Sequence, residues 1–225
     1  MSSSDNILHI YFVLDRSGSM QSIADDVIGG FNRFLAEQKA DGADAVMTLV
    51  QFDSQDSHEV VNDATPIAEV AELSPQSFVP RAATPLFDAM GHTIADATIR
   101  AEQRAGTGEP PETILFVTFT DGLENQSVEY TRDKIFELIT KREASGWTFA
   151  YLGANQDSYA EGASMGYAAA STRNWAATPT GAADAFGSVS SSVLRRRRQL
   201  RTGEAFDHRD LFEDDKPGET TVHRS

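Results

Sequence analysis

Asp15, Ser17 and Ser19 alternate along the stretch LDRSGSM, and two further oxygen-bearing residues lie far along the chain: Thr84 in RAATPLFDAM and Asp121 in FVTFTDGLEN. In a loop, side chains two apart can reach toward one side, and Gly18 lets the backbone turn tightly between the two serines. Hard divalent cations such as magnesium, manganese and calcium take oxygen ligands, and magnesium keeps several waters in a near-octahedral shell. Brought together, these five groups would hold one such ion and leave one face of it open. Nothing in the set obviously attacks a substrate.

The elements that must position them read as alternating strands and helices. Residues 7–14 (ILHIYFVL) and 113–120 (TILFVTFT) are apolar runs of strand length, as expected for strands buried on both faces. Residues 45–52 and 147–152 read as further strands, 58–62 as an antiparallel edge strand after a short hairpin loop, and 168–174 as a weak last strand. Helical spacing of apolar residues marks 21–39, with Gly29 and Gly30 permitting close packing on the sheet, and 85–104, with Pro85 suited to the first turn. A helix from a Ser127 cap to about residue 144 would turn Val128, Ile135, Leu138 and Ile139 inward. A short helix at 157–166 and a final one at 180–199 complete the pattern, while 66–80 reads as irregular and polar.

This alternation predicts an α/β fold: a doubly wound, mostly parallel six-stranded sheet with one antiparallel edge strand and helices on both faces. The two most apolar strands, first and fourth, should be central neighbours. The ligand crevice of such a sheet opens at their carboxyl ends, where Asp15 and Asp121 stand. The chain divides into one domain, 1–201, and an acidic tail, 202–225, expected to be mobile because it has few apolar residues.

Composition narrows the function classes. The 225 residues suit one sizeable α/β domain, and 40% are hydrophobic. Acidic residues number 34 against 19 basic, for a formal charge of −15, which disfavours nucleic acid and anionic membranes as partners. With no cysteine, disulfides, thiolate metal sites and cysteine catalysis are excluded. No apolar stretch is long enough to span a bilayer and MSSSDN does not open a signal peptide, so the expected setting is cytoplasmic.

The motif and its context resemble von Willebrand factor A domains that carry a metal-ion-dependent adhesion site. Their signature is Asp-x-Ser-x-Ser after the first strand, a Thr in a later loop, and an Asp ending the fourth strand, often before Gly. Here these are DRSGS, Thr84 and Asp121-Gly122. The resemblance spans about residues 7–200. It implies that Ser17 and Ser19 ligate Mg2+ (or Mn2+ or Ca2+) directly, that Thr84 does so directly or through water, and that Asp15 and Asp121 act mostly through water and hydrogen bonds. With neutral hydroxyls nearest, the ion keeps much of its charge for a Glu or Asp of a protein partner. The implied role is metal-dependent protein–protein interaction without catalysis, as a cytoplasmic adaptor or scaffold, beside a ring-shaped ATPase or in a multiprotein assembly. In relatives, ligand binding can move the last helix.

Read singly, Asp15 and Ser17 could cap the first helix, Thr84 the helix at Pro85, and Asp121-Gly122 an ordinary turn. The alternative function is a haloacid-dehalogenase-like magnesium-dependent phosphatase. That chemistry needs Asp-x-Asp, and Ser17 is a poor proton shuttle in the second place. Gly162-Ala163-Ser164-Met165-Gly166 matches the hydrolase G-x-S-x-G pattern, but no strand leads into it. The five histidines have no ligand spacing. The run Arg195–Arg198 reads as a solvated helix end.

Overall fold

The computed structural model describes residues 7–154 and 157–212. One sheet of six strands has the order β3-β2-β1-β4-β5-β6, formed by β1 (Leu8–Asp15), β2 (Ala45–Asp53), β3 (Asp56–Pro66), β4 (Thr113–Thr120), β5 (Thr148–Ala154) and β6 (Thr172–Trp175). Every pairing is parallel except that of β2 with the edge strand β3. The most apolar strands, β1 and β4, are neighbours at the sheet centre. Both faces are covered, so all eight residues of β1 are buried. Side chains alternate across it: Ile10, Phe12 and Leu14 enter one core, Tyr11 and Val13 the other.

The first core lies under α1 (Ala24–Asp41) and α5 (Pro179–Thr202), where Phe12, Phe31, Phe34, Phe119 and Phe186 meet ring to ring. The second lies under α2 (Leu86–Thr107), α3 (Arg132–Glu143) and α4 (Ser158–Ser164), and stacks Tyr11, Phe116, Phe149 and Trp147.

Several local expectations differ from what the tertiary structure selects. The first helix opens as a 3-10 turn, Gly18–Ile23, before becoming α-helical at Ala24. Gly30 packs against α5 rather than the sheet, since a Cβ there would lie 2.3 Å from Phe186 Cδ2. Ser127 does not cap α3, which begins at Arg132 under a Thr131 cap; its hydroxyl instead accepts from the Asp88 amide in the first turn of α2, and Val128 is 84% exposed instead of inward. The reason is Asp88 at the start of α2, whose carboxylate accepts from the amides of Val128, Glu129 and Tyr130 at 2.8–2.9 Å and holds them in a bend rather than a helix. Residues 66–80 are irregular, but Ile67, Val70, Leu73 and Phe78 are buried in the first core. Ile67, Val70 and Leu73 stand three apart, too short a run to mark a helix, and only Ile67–Glu69 forms a 3-10 turn.

The described part of the expected tail, to residue 212, is also tied down. Leu211 and Phe212 are buried in the first core, and Phe212 donates its amide to Ala170. Residues 213–225 of the expected tail lie outside the described residues. Three of the four arginines in the run are used in packing, and only Arg198 is solvated. Arg195 binds the carbonyl of Leu211, Arg196 lies 3.6 Å from the centre of the Phe206 ring, and Arg197 is fully buried against α1.

Candidate metal centre

The centre is assembled at the carboxyl ends of β1 and β4 by three loops. The β1 ladder continues into Arg16, whose amide binds Phe52 O at 2.9 Å. The chain then folds back on Asp15: Ser17 N donates to Asp15 Oδ1 at 2.7 Å. Ser17 occupies the position before the 3-10 turn, yet its side chain makes no capping bond. Its hydroxyl faces that of Ser19 at 3.0 Å, and Ser19 Oγ donates to Asp121 Oδ1 at 2.6 Å across 102 residues.

The Thr84 loop docks on the first loop through backbone bonds, Gly18 N to Ala82 O at 3.0 Å and Arg81 N to Arg16 O at 2.9 Å. Helix α2 has Pro85 at its cap position, so Thr84 does not serve as that cap. Thr84 and Ser19 both border Gly122: a Cβ there would lie 3.5 Å from Thr84 Oγ1 and 3.7 Å from Ser19 Oγ. Ser17, Ser19, Asp15 and Asp121 are thus joined in one hydrogen-bonded group, and Thr84 approaches it from the second loop. The separate-cap reading of Ser17 and Thr84 is not what the chain does.

Asp15 is fully buried, and its hydrogen bonds come from neutral groups, the Ser17 amide and the Thr120 hydroxyl at 2.5 Å. Burial pushes its carboxyl up to about 7 despite those bonds, with the Asp121 charge adding to the rise. Burial raises Asp121 as well. Arg16 does not compensate them, because its guanidinium turns away to Asp53, Gln51 and Glu59. Asp53 also takes Arg81 at 2.9 Å, so one carboxylate clamps the two loops together.

A cation fits this donor set. In an octahedral shell with metal–oxygen distances of about 2.0–2.1 Å, adjacent ligand oxygens stand about 3 Å apart, the spacing of the two serine hydroxyls. Among the described residues no group of three or more His, Cys, Asp or Glu could hold a metal, so a site here depends on hydroxyl oxygens.

Sequence reading missed the residues that brace the loops. Asn125 brackets Thr84, accepting from its amide at 2.9 Å and donating to its carbonyl at 3.1 Å. Glu124 receives the amides of Gln126 and Ser127, the Ser127 hydroxyl, and the Phe87 amide in the first turn of α2. Their one sequence signal is that ENQS is wholly polar just where the sequence offers Ser127 as a cap for the next helix.

The other motifs find structural roles. Ser164 ends α4 and donates to Glu161 O, so no nucleophile elbow exists there. His208 sits beside Gly146, just before β5, at the opposite end of the strands from the metal centre. His9 is a satisfied core residue, bonded to Thr48 at 2.8 Å and Glu112 at 3.0 Å. Among the described residues no helix is long and apolar enough to cross a membrane.

No family model and no curated protein matches the sequence. Solved structures do match the fold. The chain is similar to proximal thread matrix protein 1 from the mussel byssus, in a form with a zinc-occupied MIDAS motif, with a TM-score of 0.56 and 15% identity over 81% of this chain and 47% of that one. It therefore spans about half the length of that protein. It is also similar to a von Willebrand factor type A protein from Catenulispora acidiphila (TM-score 0.54, 13% identity, 84% of this chain and 43% of that one). A third match is the SpRpn10 VWA domain (TM-score 0.53, 12% identity, 89% and 98%). The sheet order, the single antiparallel edge and the helices on both faces, shared with these structures, give this chain the von Willebrand factor type A fold.

Proposed function

We propose that this chain is a divalent-metal-dependent protein-interaction module that binds an acidic side chain of a partner. Ser17, Ser19 and Thr84 would hold the ion through their hydroxyls, with Asp15 and Asp121 behind them. The observation that carries this reading is the Ser17–Ser19–Asp121 hydrogen-bonded chain, with Thr84 and Ser19 both bordering Gly122. The ion would supply an electrophilic anchor for a carboxylate, little neutralised because its nearest ligands are uncharged. Magnesium is the expected ion, with manganese and calcium compatible by ligand type. The mussel structure with zinc in its MIDAS motif supports divalent binding by this fold. A cytoplasmic adaptor or scaffold role, beside a ring-shaped ATPase or within a multiprotein assembly, belongs to the same proposal. No turnover is expected: the position two after Asp15 is a serine engaged with Ser19, where phosphatase chemistry needs a carboxylic acid.

The test is a Mn2+ titration followed by electron paramagnetic resonance on the native chain and on Ser17→Ala plus Ser19→Ala. The native chain should bind one equivalent and the double variant should lose at least tenfold in affinity, with thermal melting unchanged. Equal binding by both would remove the proposed ligands and the function with them.

A further inference from the structure

A second recess lies well away from the metal centre. β2 turns straight into β3 through a hairpin, so no helix lies between those strands, and α2, which leads from β3 to β4, is the helix that packs on this face of the pair, with α1 on the opposite face. A corner of the sheet is left open beside α2. It forms a groove of about 390 Å³ with a floor of Tyr11 and Val50, and with Val60 and Ile99 facing across it from β3 and α2. Val60 is 43% exposed and Ile99 52%, two large aliphatic side chains left in water at one recess.

Its charged rim is mainly acidic. Asp63 and Asp96 line the groove and are both exposed. Arg100 lines it too, but its guanidinium is tied to Glu112 at 2.8 and 3.0 Å and only its longer-range charge reaches Asp63. The cation nearest Asp96 would be His58 at 3.7 Å, and burial holds the His58 ring below its ordinary pKa, hence neutral at pH 7. Among the described residues no lysine or arginine pairs with either aspartate. The groove therefore carries an apolar strip of Tyr11, Val50, Val60 and Ile99 beside the hydroxyls of Thr48 and Thr93, its rim is mainly anionic, and its volume suits a few side chains.

We infer that this groove is a second docking site, which takes a short partner segment bearing an aliphatic or aromatic side chain flanked by lysine or arginine. The apolar side chain lies between Val60 and Ile99, and the flanking cations meet Asp63 and Asp96. The site needs no metal and does not share the carboxylate chemistry of the first. The chain thus presents two faces of opposite preference, one for an acidic partner and one for a basic, apolar one.

A randomised peptide library displayed on phage, panned on the full chain in EDTA, tests this. Two exposed-residue variants serve as counter-targets, Val60→Ser plus Ile99→Ser and Asp63→Asn plus Asp96→Asn, each verified to melt like the native chain. The enriched peptides should place Lys or Arg beside an aliphatic or aromatic residue. Synthesised, they should bind the native chain and Asp121→Ala equally and lose at least tenfold to either double variant. Peptides without basic residues, binding that survives both variants, or no enrichment over them would each overturn the site. So would sedimentation showing a native dimer that Val60→Ser plus Ile99→Ser converts to monomer, since the groove would then belong to a second copy of this chain.

Discussion

Replacing Arg197 with methionine should be among the most damaging single changes in this chain, although its neighbours in the run of four arginines look equivalent. Arg197 has no exposed surface. It donates to the carbonyls of Gln38 at 2.6 Å and Gly42 at 2.8 Å, which close the C-terminal end of α1. It also binds Gln38 Oε1 at 3.3 Å and the carboxylate of Asp44. The last carbonyls of a helix have no partner within it, and a buried acceptor left empty costs about 1–3 kcal/mol. Burial works against the charged form of Asp44, but the Arg197 bond and charge outweigh it and hold that carboxyl below its ordinary range. Arg201 remains 3.0 Å from Asp44 in the variant and softens the loss. Two emptied carbonyls and a weakened ion pair together predict a loss of about 3–5 kcal/mol, a large share of a typical domain's stability. Urea denaturation followed by the fluorescence of Trp147 and Trp175 measures it, with Arg198→Ala, an exposed position, as the control within about 0.5 kcal/mol of native. A loss under about 1 kcal/mol for Arg197→Met, or equal losses in both variants, would refute the claim that α5 is locked to α1 through this side chain.

Gly30→Ala should cost about 1–3 kcal/mol by overpacking, because the new methyl meets the Phe186 ring rather than a flexible chain end, whereas Gly29→Ala, which meets nothing within 4 Å, should be neutral or slightly stabilising in thermal melts. Asp88→Ala should release the segment after Glu124, costing about 2 kcal/mol in urea, and should weaken Mn2+ binding, because the loop it braces carries Asp121. Glu112 is held down to about 2 in the folded chain: burial opposes this, but bonds and charges from His9 and Arg100 prevail. Its contribution to stability is therefore full above pH 4.5 and lost as pH falls toward 2, so the native chain's advantage over Glu112→Gln in urea titrations should shrink across that window.

The five candidate ligands were legible because their signal is local: residue types two apart in DRSGS, and Asp121 at the end of an apolar run. The bracing residues were not. Asn125, Glu124, Asp88 and Asp53 act on backbone or side-chain groups of other segments, and no pattern in their own neighbourhood reports a partner that only folding brings near. Val128 fails in the opposite sense: its local pattern suits a buried helix face, and three bonds from Asp88 override it.

Alone, the order of residues settles the alternation of strands and helices and the central place of the two most apolar strands, and singles out the candidate oxygen donors, because periodicity, hydrophobic run length and local spacing act over neighbours along the chain. Only the tertiary structure decides that Ser19 reaches Asp121, that Thr84 arrives beside Gly122, that two arginines of four are buried while the next stays in water, and that a corner of the sheet is left open beside α2. These depend on which segments lie side by side, and close packing selects that from the whole chain at once.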